Sequence, residues 1–216
     1  MKFTSSFLIA ALPLLAAAAP TWSDSFSSSS SKHDDASNWQ DDSHHGGSNW
    51  LIGDGPFDFT STYSAWATPD QVVNADNTAV PGEEGAWGSF QYGINVHEEI
   101  ICYNITVYVS GNYSSPAATA THIHEAAYGR NGPPRIAFPN PTINSPVDEF
   151  GRRVSVGCLV GPFTTGLAPN GTDTGLNFTL SQIEANPPGF FTDTHTANFT
   201  AGAIRGQLEL QNTIYK

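Results

Sequence analysis

Between Ile100 and Val109 apolar and polar positions alternate without a break: Ile101, Tyr103, Ile105, Val107 and Val109 on one side, Cys102, Asn104, Thr106 and Tyr108 on the other. A period of two is the mark of a strand with one buried face. Gly88-Ser89-Phe90-Gln91-Tyr92-Gly93-Ile94 precedes it, and Asn95-Val96-His97-Glu98-Glu99 predicts the turn of a hairpin. Phe57 to Tyr63 alternates in the same way, and the Pro/Gly-rich stretch from Tyr128 to Asn144 surrounds one short extended piece. Phe190 to Thr196 and Ala203 to Leu210 read as the last strands, joined through Gly202, with Ile204, Leu208 and Leu210 sharing a face with Gly206 while Arg205, Gln207 and Glu209 take the other. Thr179 to Asn186 carries the one helix signal, with Ser181 and Glu184 at capping-box spacing and Pro187-Pro188 as the stop. Short strands, tight turns and almost no helical period predict an all-β fold: a single antiparallel β-sandwich from about Trp50 to Leu210 with one short helix.

What precedes the strands has a different texture. Residues 1–18 begin with Lys2 and an apolar run from Phe7 to Leu15, then small residues, the make-up of a secretory signal peptide. The run is too short to span a bilayer core of about 30 Å. From 19 to 49 Ser, Asp and His dominate, too polar to offset the entropy of ordering, so this part reads as a disordered tether. His33, His44 and His45 beside aspartates suit weak metal binding, although a solvated linker explains them more simply. The domain then occupies 50–216. Its C-terminal Leu210 to Lys216 lacks the hydrophobic tail of a glycolipid-anchor signal, so a secreted, extracellular product without a membrane anchor is expected.

Composition narrows the partners. A net charge of −12 repels phosphate backbones and argues against nucleic acid. Five Asn-x-Ser/Thr sequons, at Asn104, Asn112, Asn170, Asn177 and Asn198, predict an N-glycosylated protein downstream of a signal peptide. The two cysteines, Cys102 and Cys158, most simply form one disulfide in an oxidising compartment. Because Cys102 lies on the polar side of its strand, Val156 to Val160 should run over the outside of that sheet or past its edge. Carboxylate pairs such as Glu83-Glu84 and Asp148-Glu149 fall in turns and loops, and there is no Gly-x-Ser-x-Gly elbow or His-Glu-x-x-His helix.

The stretch with most chemistry is Thr119-Ala120-Thr121-His122-Ile123-His124-Glu125. On an extended strand residues two apart share a face, about 7 Å apart at the Cα atoms. His122 and His124 can therefore converge on one ion while Ile123 points into a core. A distant echo, Thr194-His195-Thr196 followed by Ala203-Ile204-Arg205-Gly206-Gln207-Leu208, offers a third imidazole. This pattern resembles the CHRD domain, a secreted module first seen in chordin and common in fungal extracellular proteins. The resemblance runs from about Gly55 to Leu210. It implies an immunoglobulin-like or superoxide-dismutase-like Greek-key β-sandwich and an extracellular binding or matrix role without catalysis, for a partner or matrix component that the sequence does not name.

The CHRD pattern is in turn distantly similar to copper–zinc superoxide dismutase, which also carries His-x-His on a strand, a late His at a strand end and an Arg near the C-terminus. That likeness implies copper held by His122, His124 and His195, with Arg205 as an anion-guiding, catalytic residue. It is the alternative reading: a copper-binding, superoxide-dismutase-like protein. The bridging and zinc-binding residues of the dismutase have no counterpart here, and the matching loop, Gly129 to Asn140, contains no His. If the likeness holds, the three histidines should cluster on one side of one sheet, ring nitrogens within about 5 Å in a metal-free protein. Arg205 should approach the same pocket.

Overall fold

The computed structural model describes residues 58–143 and 151–213. The predicted signal peptide, the tether with its three histidines and the first residues of the predicted domain lie outside the described residues. In chain order the strands are β1 (Ser61–Ala67), β2 (Trp87–Asn95), β3 (Ile100–Tyr108), β4 (Thr121–Glu125), β5 (Pro134–Phe138), β6 (Arg152–Val160), β7 (Phe190–Thr196), β8 (Phe199–Gln207) and β9 (Glu209–Thr213). They form two antiparallel sheets, β6-β3-β2-β1-β9 and β5-β4-β7-β8. One short helix, α1 (Ser181–Ala185), precedes β7. The all-β sandwich expected from alternation is the observed architecture.

The reason lies in which positions face inward. Ile101, Ile105 and Val107 of β3 are fully buried, as are Phe90 and Ile94 of β2. They meet Ile123, Ile136, Phe138 and Ile204 of the other sheet. Each such side chain removed from water stabilises the sandwich by about 1.5–3 kcal/mol. Tyr92 and Tyr103 pack their rings on Phe138, with centroids 5.4 and 4.9 Å apart. The Tyr92 hydroxyl stays satisfied in this apolar layer by bonding Thr192 Oγ1 at 2.8 Å across the sheets. Burial pushes the Tyr92 phenol far above its usual pKa, so it stays neutral.

Three local expectations need correction. The first strand begins at Ser61, four residues after the start of the alternating run, and continues to Ala67. The predicted last strand is two: the turn falls at Ala197-Asn198, Gly202 lies inside β8, and Leu208 divides β8 from β9, which join different sheets. Leu208 is buried in the core where the chain crosses over, and burial of that one side chain overrides the simple alternation through it. Finally, Ser181 and Glu184 do not cap α1, which lacks a side-chain cap. Glu184 instead accepts hydrogen bonds from the hydroxyls of Thr60 and Ser61 at the start of β1.

Cys102 and Cys158 form a disulfide. They are opposed across the β3/β6 pair, with Cα atoms 3.9 Å apart. Of the two routes expected for residues 156–160, the strand lies past the edge: β6 extends the sheet beyond β3.

The side of the four-stranded sheet away from the core is covered by loops. At one corner the sheets are joined, Thr68 and Arg205 exchanging backbone hydrogen bonds of 2.9 and 3.1 Å. Gly206 is required there, because an added Cβ would strike the Trp66 carbonyl.

Candidate metal centre

Strands β4 and β7 are neighbours, with His122 opposite Asp193, Ile123 opposite Thr192 and His124 opposite Phe191. Ile123 and Phe190 point into the core. By alternation His122, His124, Phe191, Asp193 and His195 share the opposite, loop-covered face. His122, His124, Asp193 and His195 each offer one ligand atom, and these atoms all lie within 4.8 Å of one another. The structure therefore brings the three predicted histidines onto one face of one sheet.

Nearby backbone orients each ring, from loops for His122 and His124 and from the start of β8 for His195. His122 Nε2 donates to the Thr119 carbonyl at 2.7 Å, His124 Nδ1 to the Gly132 carbonyl at 2.8 Å and His195 Nδ1 to the Thr200 carbonyl at 3.0 Å. A carbonyl oxygen only accepts, so each imidazole spends its N–H outward. Three lone pairs are left facing inward: Nδ1 of His122, Nε2 of His124 and Nε2 of His195. At the centre stands the Asp193 carboxylate, 3.4, 3.3 and 3.0 Å from those nitrogens. Asp193 is 3% exposed and His122 1%. Four acceptors converge in a buried space with no donor among them, an arrangement that calls for a cation.

One proton answers part of the demand. Burial presses His195 downward, but the charge and hydrogen bond of Asp193, with help from the Thr200 carbonyl, outweigh it and leave its pKa raised. His122 goes the other way, burial holding it below the usual imidazole value despite Asp193. For Asp193 burial alone would raise the pKa; the positive charge of His124 and His195 when protonated, with the close approach of His122, holds it well below the usual carboxylate range. Once His195 and Asp193 share a proton, His122 Nδ1, His124 Nε2 and Asp193 Oδ1 are still buried without a hydrogen-bond partner. A metal ion satisfies all of them together. Imidazole nitrogens suit copper and zinc, and carbonyl-held outer N–H groups are the usual support of metal-ligating histidines.

Arg205 shares the face of this set and its charge acts on Asp193, but its guanidinium does not enter the cleft. It is opposite Asp193 on β8, and its guanidinium sits 3.5 Å over the Phe191 ring and donates to the Ala127 carbonyl. The other side of the story is the Phe191 ring itself, which stacks on His124 with centroids 4.7 Å apart and planes 12° apart. The cleft leading to His122, His124 and His195 is lined by groups such as Asn74, Ser115, Asn131 and Leu167, and Arg205 is absent from its lining. His97 stays in the β2/β3 turn, exposed and outside the cluster.

Sequence reasoning missed Asp193 and the three carbonyls. The signal for Asp193 was present: it precedes His195 by two residues, as His122 precedes His124, so both pairs obey strand parity. The carbonyls carry no signal, since every residue has one and no side-chain type marks Thr119, Gly132 or Thr200 for the task. All five sequon asparagines are exposed.

A family model described as the CHRD domain matches residues 63–208. No curated protein and no solved structure matches the chain.

Proposed function

Since the chain belongs to the CHRD domain family, we propose that it is a secreted, N-glycosylated extracellular binding module built around one metal ion held by His122, His124 and His195. One observation carries the metal reading: three buried imidazoles whose N–H groups are already committed to backbone carbonyls aim their lone pairs at a common point. Bound copper or zinc would accept these lone pairs and tie β4 and β7 to two loops and the start of β8. The disulfide and the exposed sequons support secretion and glycosylation. Among the described residues no helix is long and apolar enough to cross a membrane.

Superoxide turnover is less well supported than binding. The anion-guiding role implied for Arg205 needs a guanidinium open to the cleft, and this one is 3% exposed and stacked on Phe191. Among the described residues, the cleft lining includes no Lys or Arg. The test is elemental analysis of the purified secreted protein, alongside His122→Ala and His124→Ala variants. About one copper or zinc per chain in the natural protein, lost in both variants, is expected. A protein that takes up neither ion after incubation with either would refute the reading.

A further inference from the structure

We infer that Asp193 is the fourth ligand of this centre, so that three imidazoles and one carboxylate hold a divalent ion, zinc or copper(II), as a permanent clamp that does not cycle between copper oxidation states. The inference rests on the three-histidine reading and adds to it the character of the site. Asp193 stands opposite His122 in the β4/β7 register and two residues before His195. Its oxygens lie 3.0–3.4 Å from the three inward nitrogens. Ligand atoms about 2.0–2.1 Å from a tetrahedral ion are separated by about 3.3–3.4 Å, and the carboxylate stands near that separation, Oδ1 from His122 and Oδ2 from His124 and His195.

The protein's own groups leave the carboxylate incompletely partnered, although the Arg205 charge acts on it from β8. Oδ1 has no hydrogen-bond partner. The side-chain nitrogens within 3.4 Å of Asp193 are those of the three histidines. Arg205, the nearest candidate counter-charge by register, gives its guanidinium to Phe191 and Ala127. The proton shared with His195 leaves Oδ1 bare, and a buried carboxylate so incompletely partnered is costly unless a cation joins it. The chemistry of the set then selects the ion. A hard, anionic oxygen favours a divalent ion over copper(I), which prefers soft ligands. A site closed by its own chain's fourth side chain is of the structural kind, whereas catalytic sites keep a position open. Through the Thr119, Gly132 and Thr200 carbonyls, such an ion fastens two loops and the start of β8 around the outer face of the four-stranded sheet.

The test uses the full secreted chain, stripped with a chelator and reloaded with zinc or copper(II) alone, as natural protein and as Asp193→Asn. Affinity is read by chelator competition, and the copper(II) paramagnetic resonance spectrum is recorded before and after ascorbate, a one-electron donor. The natural protein should bind one equivalent and keep its copper(II) signal under ascorbate. Asp193→Asn, with an unchanged circular dichroism spectrum, should bind about 100-fold more weakly, the upper end of losses seen even for outer-shell groups, and its copper signal should bleach. Natural-protein affinity and spectrum in Asp193→Asn would overturn the fourth ligand while leaving the three histidines standing. Failure of the natural protein to bind either ion would overturn both. Bleaching of the natural protein's copper signal overturns the clamp by itself, even should Asp193→Asn fail to fold.

Discussion

The run Ile204-Arg205-Gly206-Gln207-Leu208 shows how much one short motif does in this fold. Ile204 and Leu208 fill the core, Arg205 caps the Phe191 ring, and Gly206 lets β8 pass against the Trp66 carbonyl. Gln207 Nε2 donates to the Ala126 and Pro188 carbonyls at 2.8 and 2.7 Å. Its residues are therefore accounted for by packing and backbone satisfaction. Gly132 has a similar burden, since an added Cβ would collide with the Glu125 backbone while the Gly132 carbonyl must stay in place to hold His124. Gly132→Ala is expected to lower metal affinity about 10- to 100-fold, the range for lost support of a ligating histidine, with the fold retained by circular dichroism. Unchanged affinity would remove the carbonyl from the account. At this scale the sequence was informative where parity suffices: His122 and His124 on one face, Ile123 on the other. It was silent on Thr119, Gly132 and Thr200, whose contribution is a backbone carbonyl that any residue possesses.

Among the elements, the β2/β3 hairpin was legible and the β4/β7 pair was not. A hairpin is a local event, and Asn95 to Glu99 announce its turn. The pairing of β4 with β7 joins positions about seventy residues apart, and that register alone sets His122 opposite Asp193. Parity puts Asp193 on the face of His195, but nothing local to either strand connects them to His122. The edge strand β6 depends on another long-range tie, the Cys102–Cys158 disulfide across a sequence separation of 56. In the chain-entropy model a loop of this size is worth about 4 kcal/mol, with typical measured values of about 2–4. Replacing both cysteines by alanine should cost about 2–4 kcal/mol and lower Tm by roughly 5–15 °C in thermal unfolding. A Tm within about 2 °C of the natural protein would show that pairing with β3 alone holds β6 in place.

For the whole molecule, metal binding and protonation compete for the same lone pairs, which gives stability a definite pH dependence. In the metal-free protein His195 has a raised pKa, so its contribution is full below the unfolded value of about 6.5 and is lost as pH rises through the raised folded value. His122 has a lowered pKa, so its contribution is full above about 6.5 and is lost as pH falls through the lowered value. Asp193, lower still, adds a loss only at strongly acid pH. Calorimetry of the chelator-treated protein should therefore find greatest stability near pH 6.5. With zinc present the ion replaces the proton, and the Tm gain on adding zinc should grow from pH 5.5 to 8, since ligating imidazoles must be neutral. A gain that shrinks over that interval would mean that zinc binds elsewhere. Digestion of the secreted protein with an N-glycosidase should shift its mass downward, as five exposed sequons predict. The measurement nearest the central claim is a crystal structure of the zinc- or copper-loaded protein with anomalous data collected at that metal's absorption edge. The account predicts one strong anomalous peak, about 2.0–2.1 Å from His122 Nδ1, His124 Nε2 and His195 Nε2; a loaded crystal with no peak between these nitrogens, or with its metal bound only at surface groups, would contradict it.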